Sequence, residues 1–442
     1  MRIGVRVTET LIVGVYVCAD GASGAQSVHI DGFGMVEAFD RLMDKLLNTA
    51  DVSRRAEGDP VAVVTFELSD VLVPQHEQLV TTIRIAPRPP IEPSHELNIG
   101  MTAMDRPRIV HVRGGHTKLG EELVPLDVRK LHEFAADVSS GGRFVVSSVG
   151  AQINSAHELM AGTILLEHAD PASVNYSHSF YNTSFGTRER TAVTNSSLIP
   201  SAESLATALV LVAGRRVPNA RLFVTTNDGG CVPLSRLSVT PVHSMFSARP
   251  STLIGAAALS HVDNGRIMVI AAAGDFIGEM LDGVTAVRPQ LRTQDGHALA
   301  SKSANLLPAT PSLLTGSIEP PIVVATSGSP DQSSLGLPVH IRAEVDLGAL
   351  GAACAPATDW LNRVIIVRNA TELQQSLAAA EARVRSRLVS FGAATSHVRI
   401  VESRVIAAPY ENPSIVGLRV RGVAAGKSVG GILTREQSGA SQ

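Results

Sequence analysis

Three histidines stand where metal or acid–base chemistry could be built: His116 in "VHVRGGH" (110–116), His157 in "SSVGAQINSAHEL" (147–159) and His178 in "VNYSHSF" (174–180). Imidazole suits Zn²⁺ and its neighbours, so convergence of the three would make a divalent-metal site. Each also has a plainer role. Gly114-Gly115 permits a positive-φ turn that His116 caps, and Asn154 or Ser155 opens a helix with His157 and Glu158 in its first turn. His178 ends a strand. A second group is the turn Asn227, Asp228, Gly229 and Gly230, after the strand pattern "ARLFVTT" (220–226). Ligands of α/β proteins gather at the C-terminal ends of strands, which makes this turn a candidate ligand cleft. Its plainer reading is a structural turn in which Asn and Asp bond their own backbone. The catalytic candidates are therefore His116, His157, His178 and Asp228. Arg188, Glu189 and Arg190 read as an ion-pair network at a domain junction.

Familiar catalytic motifs fail on inspection. "GVAAGKS" (422–428) spaces its glycines one residue too closely for a phosphate loop, and no helix pattern follows. "GKSVG" (426–430) matches the letters of a nucleophile elbow but runs into a loose tail. No His-Glu dipeptide is followed by a second histidine at the zinc-protease spacing.

The elements that must carry these residues follow from composition and periodicity. A chain of 442 residues, 44% apolar and 18% charged, is long enough for two or three cored domains. A net charge of −3, four tyrosines and one tryptophan point away from a nucleic-acid partner. Three scattered cysteines imply neither a disulfide framework nor a zinc knuckle, and a reducing cytoplasm is expected. The apolar stretch Leu11 to Ala19 is about half a membrane span, so no membrane partner is expected.

Strand and helix patterns alternate along 1–195 and again along 196–426, the break falling near Ser196–Pro200, with a loose tail at 427–442. "RIGVRVTETLIVGVYVCADG" (2–21) and "RIMVIAAAGDFIGEMLDG" (266–283) echo one another as strand, tight turn and strand. A unit opened twice by such a hairpin is the layout of actin-like and sugar-kinase-like ATPases. The expected fold is α/β, with two duplicated ribonuclease H-like domains and a cleft between them.

The run from 108 to 262 carries a resemblance. "VHVRGGH", "SSVGAQINSAHEL", "VNYSHSF", "GTRERTAVTNSSLIP" (186–200), "LFVTTNDGG" (222–230) and "PVHSMFSARPSTLIGAAALS" (241–260) occur in one order. With "EARVRSRLVSFGAATSHVRIVESRVIAAPY" (381–410), they resemble the hydantoinase A/oxoprolinase family in its short single-chain form. The resemblance implies an actin-like fold and ATP- and Mg²⁺-dependent opening of cyclic amides such as hydantoin and 5-oxoproline. That chemistry needs acidic residues for the metal and free backbone N–H groups for phosphate.

The phosphate hairpins depart from this pattern. Where the family has Asp-Val-Gly-Gly-Thr, the first hairpin reads Arg6, Val7, Thr8, Glu9 and Thr10, and the second reads Ala271, Ala272, Ala273, Gly274 and Asp275. A glycine run near the nucleotide is reduced to "TSGSP" (326–330). Glu9 at a triphosphate would be repulsive by about 1 to 4 kcal/mol at ~4 Å. ATP and Mg²⁺ are thus expected not to bind, leaving a binding or scaffold subunit. Its expected partners are a B-type hydantoinase-like subunit or further copies of itself, with a small-molecule ligand. The alternative is an active cyclic-amide hydrolase with a rebuilt or metal-assisted site.

Overall fold

The computed structural model describes the chain except for residues 19–22, 31–33, 50–60, 75–79, 89–107, 273, 294, 311–319, 327, 328, 330–332, 408–413 and 425–442. The tail at 427–442, Ala273 and part of "TSGSP" therefore lie outside the described residues.

Alternating small and β-branched residues make β1 (Arg2–Val7) and β2 (Leu11–Val17) an antiparallel hairpin. β3 (Ser23–His29) extends it, and α1 (Met35–Thr49) covers it with Phe39, Leu42, Met43 and Leu46. β4 (Val63–Glu67) joins β1 in parallel. The chain then leaves this sheet to build a separate layer. There β5 (Val80–Ile85), β6 (Arg108–Val112), β7 (Arg143–Ser148) and β8 (Ser173–Tyr176) run parallel in the order β6-β5-β7-β8. α2 (Val128–Asp137) and α3 (Ala156–His168) pack on this layer through Leu131, Phe134, Ile164 and Leu165.

α4 (Phe185–Arg216) brings the chain back to β9 (Arg221–Thr225), which lies parallel to β4. The break expected at Ser196–Pro200 is instead the middle of this continuous helix, so a boundary at 195/196 would cut through it. Proline costs a helix interior about 3 kcal/mol. Here that penalty is offset by burial of Leu198 and Ala202 in the core shared with α1. By length and composition α4 could cross a membrane. Yet it buries Arg188, Glu189 and Arg190 inside the protein, and Glu189 pairs with Arg84 of β5 to tie the inserted layer to the rest.

After β10 (Cys231–Pro233) and α5 (Ala248–Ser260), a second sheet repeats the path of the first. β11 (Gly265–Ile270), β12 (Phe276–Leu281) and β13 (Val284–Thr285) form an antiparallel meander. β14 (Ile322–Ala325) and β15 (Ile341–Arg342) then add in parallel on the β11 side. Leaving aside the short strand Leu307–Pro308, which also pairs with β12, five strands of each sheet follow the spatial order third, second, first, fourth, fifth. α6 (Leu347–Cys354) lies against α5 between the two halves. Finally β16 (Ala357–Ile366), β17 (Val398–Ala407) and β18 (Ile415–Ala424) extend the first sheet to nine strands, covered by α7 (Ala370–Ser390).

Candidate functional site

The β1–β2 and β11–β12 hairpins face a cleft lined by Arg6, Asp70, Arg249, Ala271, Gly274 and Asp346, among others. One of its two arginines is closely paired. Arg6 Nη1 lies 3.3 Å from Asp346 Oδ2, Nη2 lies 3.1 Å from Asp70 Oδ2, and Nε lies 3.6 Å from Glu67 Oε2. The three acids come from the end of β4, the loop after it and the N-cap of α6, so Arg6 binds the two halves together. Burial works against its charge, but the carboxylates of Asp346, Glu67 and Asp70 outweigh that and raise its pKa. Burial pushes Glu67 up, against the pull of Ser69 and Arg6.

The hairpin turns do not offer a phosphate cradle. In the first, Thr8 N–H donates to Leu11 O at 2.9 Å and Leu11 N–H donates to Thr8 Oγ1 at 3.0 Å, closing the turn on itself. Thr8, Glu9 and Thr10 do not line the cleft, and Glu9 and Thr10 are exposed. Glu9 is therefore not placed to repel an anion in this cleft. In the second turn Gly274 takes φ +103°, and no described atom lies within 4 Å of where a Cβ would sit, but the Asp275 carboxylate accepts from Ser334 N–H at 2.7 Å. The residues present do not fit Mg²⁺-ATP. A fixed cation occupies the carboxylates a metal would need, and the net charge around it is acidic.

The three histidines fall into two networks. His116 and His157 stack with ring centroids 4.2 Å apart. Gly115 N–H donates to His157 Nδ1 at 2.8 Å, so the Nε2 proton points to Glu122 Oε1 at 3.0 Å. Burial, then the neighbouring His157, lowers the pKa of His116. His178 instead pairs through Nδ1 with Glu158 Oε2 at 2.5 Å. Glu158 is fully buried and also accepts from Ser148 N–H and Ser177 Oγ–H. Among the described residues no three His, Cys, Asp or Glu side chains converge as metal ligands. Asp228 belongs to neither network, so the four catalytic candidates do not form one centre.

The Asn227–Gly230 turn borders a different cavity of ≈ 370 Å³. Asn227 and Asp228 line it, while Gly229 and Gly230 lie beneath. Gly229 has φ +78°, and a Cβ at Gly230 would sit 2.2 Å from Thr358 Oγ1, so both positions exclude larger residues. Asn227 Nδ2 donates to Val242 O and Ser301 Oγ, and its Oδ1 accepts from Phe246 N–H. Asp228 accepts from Thr226 Oγ1–H at 2.5 Å, Trp360 Nε1–H at 2.6 Å and Gly230 N–H at 3.3 Å, and pairs with Arg421 at 3.5 Å. Burial opposes its charge, yet Arg421 and these donors hold its pKa below the usual carboxylate value. With its lone pairs committed, Asp228 is a structural anchor of the cavity wall rather than a free base.

Lys302, Trp360, His243 and Asp359 also line this cavity, and none stood out in the sequence. The Lys302 ammonium lies 4.8 Å from the Trp360 ring centroid, and Arg421 lies 5.0 Å from the same ring. No local motif marks these residues. Only the placing of the single tryptophan two residues beyond Thr358, which packs against the Asn227–Gly230 turn, hints at the grouping.

No protein-family profile matches the chain, and no curated protein does. Among solved structures it is similar to nucleotide-free acetone carboxylase, an enzyme of ATP-dependent acetone carboxylation. The TM-score is 0.70 at 12% identity, over 97% of this chain and 88% of that one. It is likewise similar to the ATP-dependent caprolactamase from Pseudomonas jessenii, with a TM-score of 0.68 at 11% identity and the same coverage of 97% and 88%. At such identity the likeness concerns architecture alone. The chain shares the α/β architecture of these two enzymes.

Proposed function

We propose that this chain is a hydantoinase/oxoprolinase-like protein that no longer hydrolyses ATP and acts as a binding or scaffold subunit. The observation that carries this reading is Arg6, held among Glu67, Asp70 and Asp346 in the lining of the cleft that both hairpins border. Phosphoryl transfer relies on metal and positioned donors to neutralise the phosphates. Here the acids already pair with the protein's own cation. The common strand order of the two sheets supports a duplicated actin-like layout in which this cleft is the former nucleotide site. A scaffold role implies partners, either a B-type subunit or a second copy.

Phosphate release with Mg²⁺-ATP tests this directly, and none is expected. The triple substitution Arg6→Asp, Thr8→Gly and Glu9→Gly should not restore it, because Ala271 and Asp275 still occupy the second hairpin. Turnover by the unaltered chain would overturn the reading. Turnover by the triple variant alone would show that the second hairpin remains competent.

A further inference from the structure

The cavity beside the Asn227 turn shares no lining residue with the cleft around Arg6. Its lining includes the apolar side chains of Phe180, Leu237, Leu361 and Phe391. It is also cationic. Arg236, Arg363 and Arg383 are exposed at its rim, and among the described residues no carboxylate lies within ion-pair distance of any of them. Arg387 is partly neutralised by Asp359 at 3.6 Å. Deeper in, Lys302 rests on the Trp360 face, and among the described residues its ammonium has no hydrogen-bond acceptor and no paired carboxylate. The nearby acids are spent: Asp228 on Arg421 and Trp360, Glu402 on Arg404 and Arg419.

We infer that this cavity binds a small organic acid whose carboxylate pairs with Lys302 and the arginine rim while its apolar body lies against Trp360 and the apolar side chains of the lining. A half-buried cation without a counterion is unfavourable, and a bound carboxylate removes that cost through a charge-assisted hydrogen bond. The volume of ≈ 370 Å³ suits a small ligand. The apolar part of the lining favours an acid with a hydrocarbon or ring body over inorganic phosphate. This deepens the binding reading above and rests on it, but not on the fate of the ATP cleft.

Protonation gives the site a signature. Burial first, then Arg419 and Arg421 of β18, lowers the Lys302 amine to about 7, with Asp228 and Glu402 of β17 acting in the opposite direction. Burial, then Lys302, holds His243 neutral at about 4. Burial lifts Asp359 to about 6 against Arg387 and Arg236. As pH rises, Asp359 gains negative charge and Lys302 loses positive charge, and both changes disfavour an anion. Binding therefore weakens with rising pH, and above neutrality it is accompanied by proton uptake.

Calorimetric titration with hexanoate and with benzoate, using inorganic phosphate as the control, tests this. Millimolar binding of at least one organic acid is expected, falling between about pH 6 and about pH 9, with phosphate not binding. Lys302→Met should weaken it by roughly tenfold or more. Arg363→Ala, at an exposed rim position, should weaken it without changing the melting temperature, which covers the case in which the lysine variant folds poorly. Absence of binding by both acids, preferential binding of phosphate, or equal binding by well-folded Lys302→Met would overturn the proposal. None of those results would bear on ATP, because the two cavities have no residue in common.

Discussion

Asp228 and Arg6 show how individual charges are used here. Asp228 is buried, faces Arg421 and accepts three further hydrogen bonds, so removing it strands a buried guanidinium. Asp228→Ala should lower stability by about 3–5 kcal/mol, measured by denaturant unfolding. Because its folded pKa is depressed, its contribution is present above the ordinary carboxylate pKa and is lost as pH falls toward the folded value. The variant should therefore lose less stability than the parent on acidification, and an equal loss would show that the pair is not what Asp228 contributes. The turn around it was legible because its chemistry is local: Asn, Asp and two glycines after a strand. Lys302 and Asp359 were not legible, since nothing near them in sequence shows that they face a cavity. Arg6 was recognised as a cation in place of a carboxylate, but its three acidic partners lie as far off as Asp346.

At the level of elements, the two hairpins were readable from alternation and a tight turn. The helix pair that holds the halves together was not. α6 is only eight residues long and reads "LGALGAAC", with no amphipathic stripe to mark it. Its small residues serve close approach. A Cβ on Gly351 would sit 1.7 Å from Ser251 O, and one on Gly255 would sit 2.0 Å from Leu347 O. Gly351→Ala should force α5 and α6 apart and destabilise by about 1–3 kcal/mol or somewhat more. An unchanged denaturation midpoint would mean that the crossing yields without cost. Pro200 misled in the opposite direction, because a local breaker was outweighed by burial along α4.

Across the whole molecule, the strand path of the first half recurs in the second, and the residues lining each cavity are drawn from both. Long separation is why the sites resisted reading from sequence: the cavity at Asp228 joins segments from Ser179 to Phe391. Residues of both hairpins line one cleft, yet the charge there belongs to the protein itself. The most direct measurement is the melting temperature with and without Mg²⁺-ATP at millimolar concentration. A ligand at 100 times its Kd adds about 2.7 kcal/mol, which a melt resolves. The account predicts no shift beyond that caused by Mg²⁺ alone. A stabilisation that requires both ATP and Mg²⁺ would contradict it, because the nucleotide and metal would then have to displace Arg6 from Glu67, Asp70 and Asp346.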